Sequence, residues 1–318
     1  MNTKKCPFCG SHRCIKKGFQ EGHQRWLCKE CSKKFQANKN ALPSKEELFC
    51  LYVFNKQNLN ELANEYHTKR EVFQELFDQV ILKEKVHTPR PIALCVDTTF
   101  FTDFGVVVFR DQKKKEDLWW EFVEQEKLEY YGKGKNILED LGYTIISVTA
   151  DGLPGLPSVF NDIPFQYCHF HARKTITTYL TRKPKVQAGI ELLAIMKELK
   201  TYDHAGFVNT MNDWRYNHQS FLLEKTVHPD GRWSYTHRRL RSAIRSMMHM
   251  SPYLFTYQNN TLLHIPATTN TLEGHFSHIK VRCGVHRGIG TPRMKKLITA
   301  TLLASSVTYT KDMHKKLF

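Results

Sequence analysis

The clearest pattern of apolar and polar positions lies at residues 92–109. A continuous apolar run at 92–96 leads into a single carboxylate, Asp97, and a second, β-branched run at 106–109 follows a turn at 103–105. This pattern predicts a buried strand, a tight connection and an antiparallel partner. A charged Asp at the end of an apolar strand is unfavourable unless a cation compensates its charge.

The segments downstream of this hairpin alternate between strand and helix patterns. They predict a third strand at 118–124, a helix near 130–141, a fourth strand at 144–151 that ends in Asp151, and a fifth strand at 164–170. Three antiparallel strands, a helix and then a β-α-β order are typical of an α/β, RNase H-like fold. In that fold the first and fourth strands are neighbours, so we expect Asp97 and Asp151 to lie side by side.

The pattern becomes helical from residue 173 to about 266, with strong helical segments at 186–199 and 205–216. We interpret this stretch as an all-α insertion into the catalytic core. A helix at 268–280 follows and carries Glu273, and a basic loop and an amphipathic helix come after it.

Three acidic residues, Asp97, Asp151 and Glu273, stand at the ends of strands or on a helix of this predicted core. Any one of them alone is more commonly a turn former or a helix cap. Together they favour a site for two divalent ions, Mg²⁺ or Mn²⁺, because hard cations prefer carboxylate ligands and phosphoryl transfer uses such pairs of ions.

The first 36 residues contain the pattern Cys6-x2-Cys9-x18-Cys28-x2-Cys31. Two Cys-x2-Cys pairs at this spacing predict a ribbon that closes on one Zn²⁺, which would supply most of the segment's folding free energy. Basic residues interleaved with aromatic ones predict a DNA-binding surface here: Lys16, Lys17, Arg25, Lys33 and Lys34. A ribbon that only packs on the rest of the chain, or binds protein, remains an alternative.

Residues 44–83 have the pattern of a helix-turn-helix. Ser44 and Glu47 have capping-box spacing, a short helix is predicted after residue 58, and residues 69–83 are predicted as a recognition helix. Lys69 and Arg70 would then contact DNA. The pattern is degenerate, and a plain helical linker explains it equally well.

Charge supports a polyanionic partner. The chain has 47 Lys and Arg against 31 Asp and Glu, a net charge of +16. Half of this excess lies in residues 1–40 and half in residues 274–318, so the middle is neutral and both ends are basic. No run approaches 18 apolar residues and no signal peptide is recognisable, so we expect a soluble, cytoplasmic, nucleoid-associated protein without a membrane partner.

Four motifs, in order, resemble those of a DDE transposase of the Mutator superfamily, bacterial insertion-sequence branch: VDTTF (96–100), TADGLPGL (149–156), YCHFH (167–171) and TNTLEGHFSHIK (269–280). The resemblance covers about residues 90–305. It implies that Asp97, Asp151 and Glu273 are the catalytic, metal-binding triad. It also implies that Cys168 and His171 form the family's Cys-x-x-His motif, and that the helical stretch before Glu273 is its insertion domain. The chain is shorter than many relatives, which leaves the limits of that domain open.

The residues around the triad have supporting roles in this interpretation. We expect Cys168 and His171 to position the active site, and His169 between them to face the substrate. Nucleophilic catalysis by Cys168 is disfavoured because no base and orienting group accompany it. Asn270 shares a helix face with Glu273. It either orients a phosphate or caps the helix.

Two further sets of residues have open assignments. Three arginines lie at the end of the helix of Glu273 or beyond it: Arg282, Arg287 and Arg293. They indicate either a phosphate-binding surface or only a solvated, basic helix end. Trp214 and Tyr216 in the insertion either stack on a flipped base or pack between helices.

The sequence therefore predicts a transposase that binds terminal inverted repeats, cleaves DNA 3′ ends and transfers them to target DNA by two-metal-ion phosphoryl transfer. Its partners would be double-stranded DNA, as element ends and target, and further copies of the chain, at least a dimer on DNA. An RNase H-like nuclease without strand transfer and a non-catalytic DNA-binding regulator are the alternatives. The predicted domains are a zinc ribbon (1–40), a helix-turn-helix region (41–86), the first part of the core (87–172), the insertion (173–266) and the C-terminal core helices (267–318).

Overall fold

The computed structural model describes residues 5–6, 8–20, 23–36, 42–305 and 310–318, and the side chains of residues 23 and 310–313 are not described. The chain divides into two compact units, Met1–Val80 and Ile81–Phe318. The predicted boundary between ribbon and helical region, at residues 40 and 41, lies outside the described residues.

The first unit begins with a small antiparallel sheet of three strands in the order β1-β2-β3: β1 (Cys14–Gln20), β2 (His23–Cys28) and β3 (Lys34–Gln36). The chain turns sharply beside both cysteine pairs, where Gly10 and Ser32 have φ values of +74° and +53°. The left-handed conformation suits Gly10, which has no Cβ, whereas Ser32 adopts it at a steric cost.

Three helices complete the first unit: α1 (Lys45–Phe54), α2 (Leu59–Glu65) and α3 (Arg70–Asp78). The predicted capping box at Ser44 and Glu47 is confirmed, since each side chain accepts the other residue's N–H. The prediction that α3 extends to residue 83 is wrong. Its buried stripe ends at Val80, and Ile81 is 84% exposed, so nothing apolar holds a further turn.

A mixed five-stranded sheet forms the centre of the second unit. Its strands are β4 (Pro91–Phe100), β5 (Gly105–Asp111), β6 (Glu116–Val123), β7 (Thr144–Ala150) and β8 (Phe165–Tyr167), in the order β6-β5-β4-β7-β8. The first three strands are antiparallel, whereas β4, β7 and β8 are parallel. The predicted adjacency of the first and fourth strands of this sheet, β4 and β7, is therefore confirmed.

Some of the helices that follow pack on this sheet, and others pack among themselves around a second apolar core. The helices are α4 (Leu128–Asp140), α5 (Leu156–Val159), α6 (His169–Leu180), α7 (Gln187–Lys197), α8 (His204–Asn217), α9 (Gln219–Leu223), α10 (Arg238–Leu254), α11 (Thr256–Asn259), α12 (Asn270–Val285), α13 (Thr291–Leu303) and α14 (Thr310–Leu317), with 3₁₀ turns at Leu199–Thr201 and Thr261–Leu263. Within the described part of the chain, no helix is both long and apolar enough to cross a membrane.

The prediction that residues 173–266 are entirely helical is wrong. Two short strands, β9 (Lys225–Val227) and β10 (Trp233–Tyr235), form an antiparallel hairpin there. Its turn contains Gly231 at φ +78°, and the Lys225 ammonium lies 3.9 Å from the centre of the Trp233 ring. Strands of three residues are too short to give a periodic signal in the sequence.

A close approach of α4 to the sheet generates the first testable prediction. A Cβ added at Gly134 would lie 2.6 Å from Phe109 and 2.7 Å from Trp119, whereas one added at Gly132 would meet nothing closer than Val159 at 4.0 Å. We expect Gly134→Ala to lower the free energy of unfolding by about 1–3 kcal/mol through overpacking. Gly132→Ala, on the same helix, should raise it by about 0.5–1 kcal/mol through helix propensity.

Urea unfolding of both variants beside the wild type checks this. Equal effects of the two substitutions would contradict the packing of α4 described above.

Candidate active site

Asp97 lies inside the central strand of the sheet. It is opposite Val108 of β5 and is 8% exposed, and its Oδ1 accepts the Thr98 N–H at 2.8 Å. Burial, together with the negative charges of Asp151 and Glu273, raises the pKa of Asp97 well above its usual range. Ionisation of this carboxyl group is therefore unfavourable unless a cation compensates its charge.

Asp151 follows β7 at the same edge of the sheet. The parallel register sets Cys95 opposite Thr149, so Asp97 and Asp151, each two residues further along, occupy equivalent positions. The Leu153 N–H donates to Oδ1 of Asp151 at 3.2 Å. Burial also raises the pKa of Asp151.

Glu273 and His171 approach Asp97 from two helices. Both stand in the first turn of their helix, α12 and α6 respectively. One ligand atom each from Asp97, His171 and Glu273 lies within 4.8 Å of the other two, a spacing that one metal ion can span. Asp151 is not part of this group, although its charge acts on Asp97.

The donor atoms of this group fit a divalent metal. Nε2 of His171 lies 3.3 Å from Oε1 of Glu273 without hydrogen-bond alignment, and within the described residues Oε1 of Glu273 and Nδ1 of His171 are buried and lack a hydrogen-bond partner. Burial lowers the pKa of His171, although the Glu273 charge opposes this shift, which favours the neutral imidazole that metals bind. The carboxylate oxygens suit Mg²⁺ or Mn²⁺, whereas the imidazole is a donor more typical of Zn²⁺, Fe²⁺, Cu²⁺ or Ni²⁺.

Cys168 holds the two helices together. It is fully buried and its sulfur accepts both the N–H and the hydroxyl of Thr269 at 3.3 Å. Thr269 precedes α12 directly as its N-cap, so this contact places Glu273 relative to His171. Asn270 is exposed, and Thr269 is the N-cap residue instead, so the alternative that Asn270 caps the helix is wrong and its role toward a phosphate stays a prediction.

The expectation that His169 faces the substrate is wrong. Its side chain is 1% exposed, and Nε2 lies 2.6 Å from the Leu254 carbonyl oxygen. His169 and His171 are two residues apart in α6 and so lie on different sides of the helix. His169 points into the helical core, where Phe255 and Tyr257 contact it edge-on.

Two further contacts dock α12 on the sheet. The Thr271 hydroxyl donates to Oε1 of Gln112, and Nε2 of His275 lies 2.7 Å from Oδ2 of Asp117 on β6. Asp117 is fully buried and also accepts a hydrogen bond from Arg110 at 2.5 Å. Because residues 271 and 275 share one face of the helix, they fix the orientation of Glu273.

A fourth acidic residue, Glu126, was not predicted. It accepts a hydrogen bond from the hydroxyl of buried Tyr131, whose oxygen lies 2.9 Å from the Thr98 hydroxyl. Burial and the charge of Asp151 raise the pKa of Glu126, although the Tyr131 hydrogen bond opposes this. The sequence contains a signal for Glu126. Three consecutive antiparallel strands imply that β6 runs in the same direction as β4, so residues that follow β6 lie at the same end of the sheet as Asp97.

The four cysteines of the ribbon form a separate site. Their sulfur atoms lie within 4.8 Å of one another, with Cys6 and Cys31 3.7 Å apart and Cys9 and Cys28 3.5 Å apart. Four thiolates around one tetrahedral zinc ion would be about 3.8 Å apart. The cluster is therefore compatible with a zinc ribbon.

The predicted DNA-binding residues differ in their exposure. Lys16, Lys17, Lys33, Lys34, Lys69, Arg70 and Arg287 are exposed, whereas Arg25, Arg282 and Arg293 are partly buried. Trp26 is 8% exposed and so packs inside the ribbon. Burial lowers the pKa of Arg282.

Trp214 and Tyr216, predicted either to stack on a base or to pack between helices, also differ in exposure. Trp214 is 4% exposed and its indole N–H donates to the Ala188 carbonyl, so it packs between helices as one alternative had it. Tyr216 is 79% exposed.

No protein-family model matches the chain, and no curated protein sequence matches it. Among solved structures, it is similar to a chain in the cryo-electron microscopy structure of the simian T-cell lymphotropic virus intasome in complex with PP2A regulatory subunit B56 gamma. That alignment covers 65% of this chain and 69% of the other, at 10% identity and a TM-score of 0.21. A similarity at this level assigns neither fold nor function, so the functional conclusion rests on the geometry of the site.

The ribbon generates a prediction about metal content. We expect one zinc ion per purified chain, and loss of that zinc in Cys6→Ser because three thiolates hold it more weakly. Cys14→Ser should keep the zinc, since Cys14 is outside the four-sulfur group. Elemental analysis of the three proteins after gel filtration gives the answer. Zinc loss in both variants, or in neither, would contradict the assignment.

The pKa of Asp97 generates a prediction about stability. Without divalent metal at pH 7, Asp97→Asn should raise the free energy of unfolding by about 1–3 kcal/mol, because the neutral amide avoids the cost of either ionising or protonating a buried carboxyl group beside two others. A raised pKa in the folded state destabilises only above the pKa of the unfolded chain, about 3.9, so the gain should shrink as the pH falls toward 4.

The matched control is Asp103→Asn, an exposed carboxylate in the turn after β4. Urea unfolding in chelator across this pH range checks the prediction. A destabilised Asp97→Asn protein at pH 7, or an equal gain in Asp103→Asn, would refute it.

Proposed function

We propose that this protein is a DNA transposase of the DDE type, with an RNase H-like core interrupted by a mainly helical insertion at about 173–266. The observation that carries this proposal is the convergence of Asp97, His171 and Glu273 within ligand distance, with Asp151 beside them, at one edge of a mixed sheet. The strand order β6-β5-β4-β7-β8 supports the core assignment, since it corresponds to the order 3-2-1-4-5 expected of that fold.

The proposed site residues have two kinds of role, metal binding and orientation of the metal ligands. Asp97, Asp151 and Glu273 would hold two Mg²⁺ or Mn²⁺ ions, and His171 is a fourth ligand candidate on the Glu273 side. When bound, such ions activate the attacking oxygen and stabilise the leaving oxygen of a phosphodiester. The residues of the chain contribute by orientation: Cys168 and Thr269 fix the two helices, and the sheet fixes the two aspartates.

The proposed reaction has two displacements. In the first, water attacks the phosphorus at the element end, and the bond to the 3′ oxygen breaks to leave a 3′ hydroxyl. In the second, this hydroxyl attacks a phosphorus of the target strand and displaces the 3′ oxygen there. Each step forms one P–O bond and breaks another and requires no covalent enzyme intermediate, so catalysis consists of positioning and charge compensation.

The basic first unit is proposed to bind the element ends. Its exposed lysines on the zinc ribbon and the residues Lys69 and Arg70 at the start of α3 supply charge for phosphate contacts. Two ends must be joined in one event, so we propose that at least two copies of the chain act together on DNA. We also propose the domain limits 1–40, 41–86, 87–172, 173–266 and 267–318.

A strand-transfer assay tests the function. Labelled DNA ends from the flanks of the gene are incubated with target DNA and Mg²⁺ or Mn²⁺. We expect joined products from the wild type and from Asp103→Asn, and at least about a hundredfold loss in Glu273→Gln, because the amide removes the charge that the metal requires.

The other outcomes identify the alternatives. Cleavage without joining would indicate a nuclease of the same fold. DNA binding without any reaction, and without metal binding, would indicate a regulator and would contradict the proposal.

A further inference from the structure

A second basic surface lies in the insertion, away from the carboxylates. A groove of about 610 Å³ runs between α8, α9 and α10, and three arginines line it: Arg215, Arg241 and Arg245. No Asp or Glu is among its lining residues. Like charges gathered in this way repel one another until an anion joins them.

Two of these arginines are available to a ligand. Arg215 and Arg245 are exposed, and within the described residues neither guanidinium makes a hydrogen bond or an ion pair. Arg241 is held in place, since it donates to the Leu222 carbonyl at 3.0 Å and lies 3.6 Å from the centre of the Tyr235 ring. The groove thus combines one fixed and two adjustable cations.

The basic surface continues along α10 toward the carboxylates. Arg241, Arg245 and His249 are spaced four residues apart, so they share one face and rise about 6 Å per step. His249 also lines a small cavity together with Asp151 and Gly152. One face of α10 therefore leads from the arginine groove to the loop of Asp151, over about 12 Å.

We propose that this groove and the basic face of α10 bind the sugar–phosphate backbone of the DNA strand whose phosphate enters the carboxylate site. The proposal rests on the function proposed above and adds a DNA-binding surface within the insertion. Arginines repeated along one helix face, with His249 as a further polar group, match a polymer with regularly spaced charges rather than a single phosphate. Arginine forks suit phosphate oxygens, and the exposed Tyr216 ring at the groove offers a face to a sugar or base.

The salt dependence of DNA binding tests this surface. The full-length Arg215→Gln/Arg245→Gln protein is compared with the wild type on a labelled duplex by fluorescence anisotropy over a range of NaCl concentrations. The control is Lys183→Gln/Lys185→Gln, which removes the same charge from an exposed loop of the insertion outside the groove. All four positions are exposed, and thermal unfolding confirms that the variants fold.

Each lost phosphate contact lowers the slope of log K against log salt by about one. We therefore expect the groove variant to lower the slope by about two and the control to leave it unchanged. An unchanged slope in the groove variant, or an equal fall in both proteins, would overturn the proposed surface and leave the transposase proposal standing. Absence of DNA binding by the wild type would instead contradict the proposed function itself.

Discussion

The physical constraint that governs this structure is the repulsion between carboxylates near the C-terminal ends of the neighbouring strands β4 and β7. The parallel register puts Asp97 and Asp151 at equivalent positions, and α12 adds Glu273 from a third direction. Burial of Asp97 increases the cost of its charge, since water cannot solvate it. A buried group of this kind is tolerated when a bound partner compensates its charge, and a divalent cation is the simplest candidate.

The contacts around this edge hold the charges in place against their repulsion. The sulfur of Cys168 joins the start of α6 to the start of α12 through Thr269. The buried Asp117, which also accepts from Arg110, contacts His275 one turn along α12 from Thr271. These contacts are made by helix starts and strands rather than by long loops, and rigid elements of this kind hold metal ligands in position most accurately.

Parts of both units were predictable because their signals are local and strong. Apolar runs marked the strands around Asp97 and Asp151, and the Cys-x2-Cys pairs marked the ribbon. The predictions that were wrong or absent had different causes. The β9–β10 hairpin is too short to show a period, and the exposure of Ile81 that ends α3 follows from packing. The inward direction of His169 depends on which side of α6 meets the helical core. Glu126 has no motif of its own and reaches the site only because β6 and β4 run in the same direction.

The most direct test of the central claim is calorimetric titration of the zinc-loaded protein with Mn²⁺ near pH 7, in buffers of different ionisation enthalpy. Because burial and the charges of Asp151 and Glu273 raise the pKa of Asp97, protons and the metal compete for this carboxylate, and any proton that binding releases makes the observed heat depend on the buffer. We expect saturable Mn²⁺ binding by the wild type, and its loss in Asp97→Asn. Mn²⁺ binding of the same affinity in Asp97→Asn, or no binding by the wild type, would show that these carboxylates are not a metal site.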